Sequence, residues 1–87
     1  MPERTVTIAS AHGLHARPAS LFVQAVAASG LSVEITKGER SINAASILGV
    51  ISLGIEHGDS VTIRAEGDSA EGVLDSLVEL LTKDHDA

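Results

Sequence analysis

Cysteine, tryptophan and tyrosine are all missing from these 87 residues, and Phe22 is the single aromatic side chain. Without cysteine there is no disulfide framework and no thiolate metal site, which fits a reducing compartment. Without an aromatic platform, the bases of a single-stranded nucleic acid have nothing to stack on. Basic residues are scarce: 6 Lys and Arg stand against 12 Asp and Glu, a formal net charge of −6. That balance argues against a nucleic-acid partner, because neutralising phosphates needs a basic face. No apolar run approaches the ~18–20 residues of a membrane span. Met1-Pro2-Glu3-Arg4 has no hydrophobic segment behind it, so neither membrane insertion nor a leader is expected. The expected location is the cytoplasm. Repeats, low-complexity tracts and linkers are also lacking, and residues 1–87 read as a single domain.

What is present is aliphatic and patterned. Hydrophobic residues make up 44% of the chain, enough for a packed core and against disorder. Thr5-Val6-Thr7-Ile8 alternates polar and apolar, the period of a half-buried strand. Leu31, Val33 and Ile35 alternate with Ser32, Glu34 and Thr36 as a second strand. Lys37-Gly38-Glu39-Arg40 is a hairpin turn in which Gly38 can supply a positive φ. Ser41 to Ala44 follows as a short third strand, and Ser60 to Ala65 alternates as a fourth. Between them, Ile47 to Leu53 is apolar nearly all round, so periodicity does not settle its state. Ser46 as an N-cap and Gly54 as a C′ residue favour a short helix there. Val73, Leu74, Leu77, Val78 and Leu81 mark one face of a last helix. Asp68 with Glu71 has the spacing of a capping box at its start.

The predicted order is therefore β-α-β-β-α-β-α, an α+β domain. Four strands with one apolar face each and three helices with one stripe each have an economical arrangement. The helices cover one side of a mostly antiparallel four-stranded sheet. Its other side, carrying Thr5, Thr7, Ser32, Glu34, Thr62 and Arg64, meets water.

One stretch carries chemistry. Gly13-Leu14-His15-Ala16-Arg17-Pro18-Ala19 sets a histidine one residue ahead of a helix predicted over 16–28. Proline is tolerated in a helix at its first turn, and Ser29-Gly30 supplies the stop. A helix N-terminus offers free backbone N–H groups and about half a positive charge, a combination that attracts anions. That field and the Arg17 guanidinium both disfavour imidazolium, so His15 should be neutral and nucleophilic near pH 7. A phosphoryl group on His15 would be met by the Ala16 and Arg17 N–H groups and the guanidinium. Phosphoryl transfer is mainly positioning and charge stabilisation, so no further acid or base is required.

The 13–19 motif resembles the signature of the HPr family, the histidine-containing phosphocarriers of the bacterial phosphoenolpyruvate-dependent sugar phosphotransferase system. The stretch Ser46-Ile47-Leu48-Gly49-Val50-Ile51-Ser52-Leu53-Gly54 resembles the family's second signature, and length and element order match over essentially the whole chain. The resemblance implies an open-faced β-sandwich with three helices on one face of the sheet. It implies that His15 takes a phosphoryl group on Nδ1 from phosphorylated enzyme I and passes it to sugar-specific IIA domains, with Arg17 assisting. It implies no cofactor.

In part of the family the serine matching Ser46 is phosphorylated by an ATP-dependent kinase. A serine kinase/phosphorylase and transcriptional regulators thereby join the implied partners, and a purely regulatory role on the same scaffold is the alternative. Ala45 departs from the lysine of kinase-regulated relatives. Gln24, Ala27 and Gly49 likewise stand where some relatives carry lysines. Docking should then rest on an apolar patch of Leu14, Ser20, Leu21, Ile47, Leu48 and Ile51. A monomer is the natural state for a shuttle.

The remaining histidines, His12, His57 and His85, lack the clustered ligands of a metal site, and none is expected. Asp75-Ser76-Leu77 spells the attachment motif of acyl carrier proteins. It falls inside the last helix, however, and the alternating strands have no place in that all-helical fold.

Overall fold

Alternating side chains divide each strand into a wet face and a dry one, and the computed structural model closes the dry faces under a layer of helices. It describes residues 2–8 and 16–82, the side chains of 16–18 excepted. The elements run β1 (Glu3–Thr7), α1 (Ala16–Ser29), β2 (Ser32–Lys37), β3 (Arg40–Asn43), α2 (Ile47–Ser52), β4 (Ser60–Glu66) and α3 (Ala70–Thr82). The strands lie in the order β1-β4-β2-β3, and every pair is antiparallel. Val6, Val33, Ile35, Val61, Ile63 and Ala65 point into the core. On the outer face, Thr5, Thr62, Thr36 and Ser41 are cross-strand partners in a row spanning all four strands. Their hydroxyls pair across it, Thr5 with Thr62 at 3.0 Å and Thr36 with Ser41 at 2.9 Å. A neighbouring row joins Glu3, Arg64, Glu34 and Asn43. Such polar rows keep the uncovered face wettable.

The helices bury one stripe each. Ala19, Phe22 and Val26 of α1 follow the helical repeat into the core, as do Ala70, Leu74, Leu77 and Leu81 of α3. α3 packs on β1, β4 and α1, α1 also packs on α2, and α2 lies by β3. Phe22, the single aromatic ring, is fully buried where the layers meet.

Pairing moves several boundaries. The β1–β4 register runs from Glu3↔Arg64 to Thr7↔Ser60, so β1 starts two residues before the alternation predicts. Ile8 extends the ladder through bonds to Asp59 and Gly58 of 2.9 and 3.0 Å. Leu31 falls outside β2, half-buried against the core. β3 begins one residue early, because Lys37 pairs with Arg40 and leaves Gly38-Glu39 as a two-residue turn. Gly38 has φ +61 and Glu39 is not left-handed, the pattern of a type II′ turn.

The capping box is corrected. α3 opens at Ala70, and the Val73 N–H donates to the Ser69 carbonyl at 3.0 Å. Ser69 therefore holds the cap position, and Glu71 sits too early to reach back as a third-position partner.

Candidate functional site

α1 begins at Ala16, directly after His15 in the chain. An α-helix offers no internal partner to its first four amides. Ala16 and Arg17 supply two of them, while Pro18 has none to leave unpaired. His15 and Leu14 lie outside the described residues, as does the Arg17 side chain.

α2 is built by its flanks rather than by its own six residues. At its entry, Asn43 Oδ1 accepts the Ala45 N–H at 2.8 Å, and the Asn43 carbonyl accepts the Ser46 N–H at 3.1 Å. These bonds turn the chain out of β3. Ser46 is then the N-cap, extended at φ −99 and ψ 111, its Oγ accepting the Gly49 N–H at 3.1 Å. At the exit, Leu53 is the C-cap and Gly54 takes φ +63, the left-handed step expected of a C′ glycine. Here the local signals identified a helix that periodicity could not.

The lack of periodicity also has a structural reason. Val50 and Leu53 face the core, whereas Ile47, Leu48 and Ile51 face outward. The outward side chains are apolar as well, so the pattern has no contrast. Among the described residues, the exposed large hydrophobics are Leu21, Ile47, Leu48 and Ile51, with Leu48 at 78%. They come from two helices that pack together, α1 and α2. Ser20, half-buried beside Leu21, accepts a bond from Gln24 Nε2 at 3.2 Å.

A family model described as the PTS HPr component phosphorylation site matches residues 2–83. The chain is 43% identical over 84 residues to a phosphocarrier protein HPr of Streptomyces coelicolor, covering 95% of this chain and 90% of that protein. This chain belongs to the HPr family. A second relative, the phosphocarrier protein HPr of Haloferax volcanii, is 44% identical over 82 residues, covering 92% of both proteins. The crystal structure of an HPr from Thermoanaerobacter tengcongensis superposes with a TM-score of 0.89 at 42% identity, covering 93% of this chain and 91% of that one. The chain is thus an HPr phosphocarrier of the phosphotransferase system, and its four-stranded sheet with three helices is the HPr fold.

Two features of this HPr are additional to those expected from the sequence. The first is the Asn43 turn, although asparagine ahead of a cap residue was an available signal. The second is a cluster below α2. Lys37 Nζ lies 2.9 Å from Asp59 Oδ2 and donates to the Gly54 carbonyl at 2.8 Å. Arg40 Nη1 donates to the Ser52 carbonyl at 3.0 Å. Asp59 Oδ2 also accepts the Glu56 N–H at 2.8 Å. That amide, and then the Lys37 ammonium, hold the Asp59 carboxyl below the usual carboxylate range. The contacts of Lys37 and Arg40 join residues distant in the chain, up to 22 apart from Lys37 to Asp59, and leave no local trace.

Among the described residues no cluster of His, Asp and Glu could hold a metal ion. No helix there is long and apolar enough to cross a membrane. His57 is exposed in the turn before β4; His12 and His85 lie outside the described residues.

Proposed function

We propose that His15 is the phosphoryl acceptor of this HPr, receiving the group from phosphorylated enzyme I and passing it to sugar-specific IIA domains. The Nδ1 lone pair forms the new P–N bond as the bond from phosphorus to the donor's leaving atom breaks. Transfer onward repeats the exchange with the acceptor's nucleophile. The first-turn amides of Ala16 and Arg17 and the Arg17 guanidinium stabilise the charge that His15 carries between partners.

The observation that carries this reading is the exposed apolar group Leu21, Ile47, Leu48 and Ile51 beside the helix that begins right after His15. Grouped exposed apolar side chains suit a transient docking face. Together with Ser20 they make up the surface that both partners would use in turn. A shuttle of this kind works as a monomer in the cytoplasm and needs no cofactor.

One observation favours a regulatory layer as well. Ser46 is exposed at the α2 N-cap, next to Ile47 and Leu48. A phosphate added there by a serine kinase suits the helix and sets negative charge on the docking face. It would weaken traffic at His15 and could alter binding to transcriptional regulators.

Incubation with phosphoenolpyruvate, enzyme I and a IIA domain tests the proposal. Wild type should gain an acid-labile phosphate and lose it to the IIA domain. His15→Ala should fold but take no label, and His12→Ala should still label. Label retained in His15→Ala refutes the assignment. Arg17→Ala should slow transfer by roughly ten- to a hundredfold with the fold intact. Phosphate that reaches His15 and never moves on would point to the regulatory role alone.

A further inference from the structure

α2 is a weak element given a demanding task. It spans Ile47–Ser52, with Gly49 in its middle and Val50 as its buried residue. Helices shorter than about 12–15 residues do not hold their shape unaided. The last carbonyls of a helix have no partners within it, and the last turn of α2 contains no basic residue that could help.

Help comes instead from one hairpin. Lys37 and Arg40 are cross-strand partners on either side of the Gly38-Glu39 turn. Arg40 Nη1 reaches the Ser52 carbonyl at 3.0 Å, and Lys37 Nζ reaches the Gly54 carbonyl at 2.8 Å. Positive charge at a helix C-terminus is the favourable sign, and hydrogen bonds from cations are stronger than neutral ones. Lys37 is itself steadied by Asp59 at 2.9 Å, at the entrance to β4.

We infer that Lys37 and Arg40 are positioning residues for partner docking: they fix the C-terminal end of α2 and thereby the presentation of Ile47, Leu48 and Ile51. The inference rests on the reading above that this face docks the partners. Both cations lie outside the docking patch, and they act through the helix. Because exposed ionic contacts add little to global stability, their removal should loosen α2 without unfolding the domain.

The test measures steady-state phosphoryl transfer from enzyme I and to a IIA domain while the concentration of this protein is varied. The variants are Lys37→Met, Arg40→Met, the double variant and Lys37→Arg, with Leu48→Ala as the control for docking. Amide hydrogen exchange at Val50 to Leu53 is followed in the free protein. The double variant should raise KM about three- to tenfold for both partners with kcat nearly unchanged. Exchange in α2 should quicken and Tm should shift little, each single variant should give a smaller effect of the same kind, and Lys37→Arg should behave as wild type.

A raised KM without faster exchange in α2 would mean direct contact with the partner and would overturn the positioning role. KM unchanged in the double variant but raised in Leu48→Ala would overturn it while leaving the docking face standing. KM unchanged in both would remove the docking face itself. If the double variant fails to fold, the single variants and Lys37→Arg decide by the same criteria.

Discussion

Asp59 shows how much one carboxylate can organise. It accepts the Glu56 amide and the Lys37 ammonium together, and both favour its charged form, the amide more strongly. Its folded-state pKa is therefore below its unfolded value. Stability from this group is fully present above the ordinary carboxylate pKa of about 3.9 and is lost as pH falls through the lowered native value. Asp59→Asn keeps an acceptor for the Glu56 amide but removes the charge. Its Tm should lie below wild type at neutral pH, and the gap should close as pH drops below about 4, measured by calorimetry across an acid series. A gap that stayed constant with pH would show that the charge contributes nothing. Arg4 is the contrasting case. Its Nε lies 3.3 Å from Asp75 and its Nη2 4.0 Å from Glu71, both exposed carboxylates on α3, so the link between β1 and α3 adds little.

Among the elements, α2 and α3 each carry an interior glycine, and their surroundings differ. A Cβ built on Gly72 meets nothing within 4 Å. Gly72→Ala should therefore gain the helix propensity of alanine, about 0.5–1 kcal/mol, and raise Tm by a few degrees. A Cβ on Gly49 would sit 3.2 Å from Ser46 Oγ and 3.3 Å from Ile42 Cδ1. It would press on the hydroxyl that caps α2, so Gly49→Ala should show no such gain in the same thermal scans. Equal stabilisation by both changes would mean that the cap yields freely. Small size at position 49 thus serves the packing of α2 against β3, whereas at position 72 nothing depends on it.

At the scale of the whole molecule, one aliphatic core is shared by all layers, and Phe22 is its largest fully buried side chain. Phe22→Ala should cost about 3–5 kcal/mol. Since small domains hold only about 5–15 kcal/mol in total, chemical denaturation should find the variant at the edge of folding. A loss below about 1 kcal/mol would mean that the layers can close over the space. The two surfaces of the molecule are equally unlike each other. The open sheet face carries rows of hydroxyls and charges, while the exposed large hydrophobics of the described residues gather on α1 and α2. A carrier that meets its partners in turn is expected to have one adhesive side.

The order of residues alone determined what short-range physics controls. Strand alternation, the Gly38 turn, the stripe of α3 and the start of α1 behind His15 each depend on neighbours within about one turn or one pleat. The 13–19 motif and the 46–54 stretch were likewise legible without coordinates. Ser46 and Gly54 bracketed α2 because a cap and a left-handed step are local requirements. What only the tertiary structure decided concerns partners distant in the chain. It set the register that starts β1 at Glu3. It chose Val50 and Leu53 as the inward face of a segment apolar on all sides. It also brought Lys37 and Arg40 to the carbonyls of Gly54 and Ser52. No local pattern encodes such contacts, because they form only when the sheet has aligned its strands and carried the hairpin to the end of the helix.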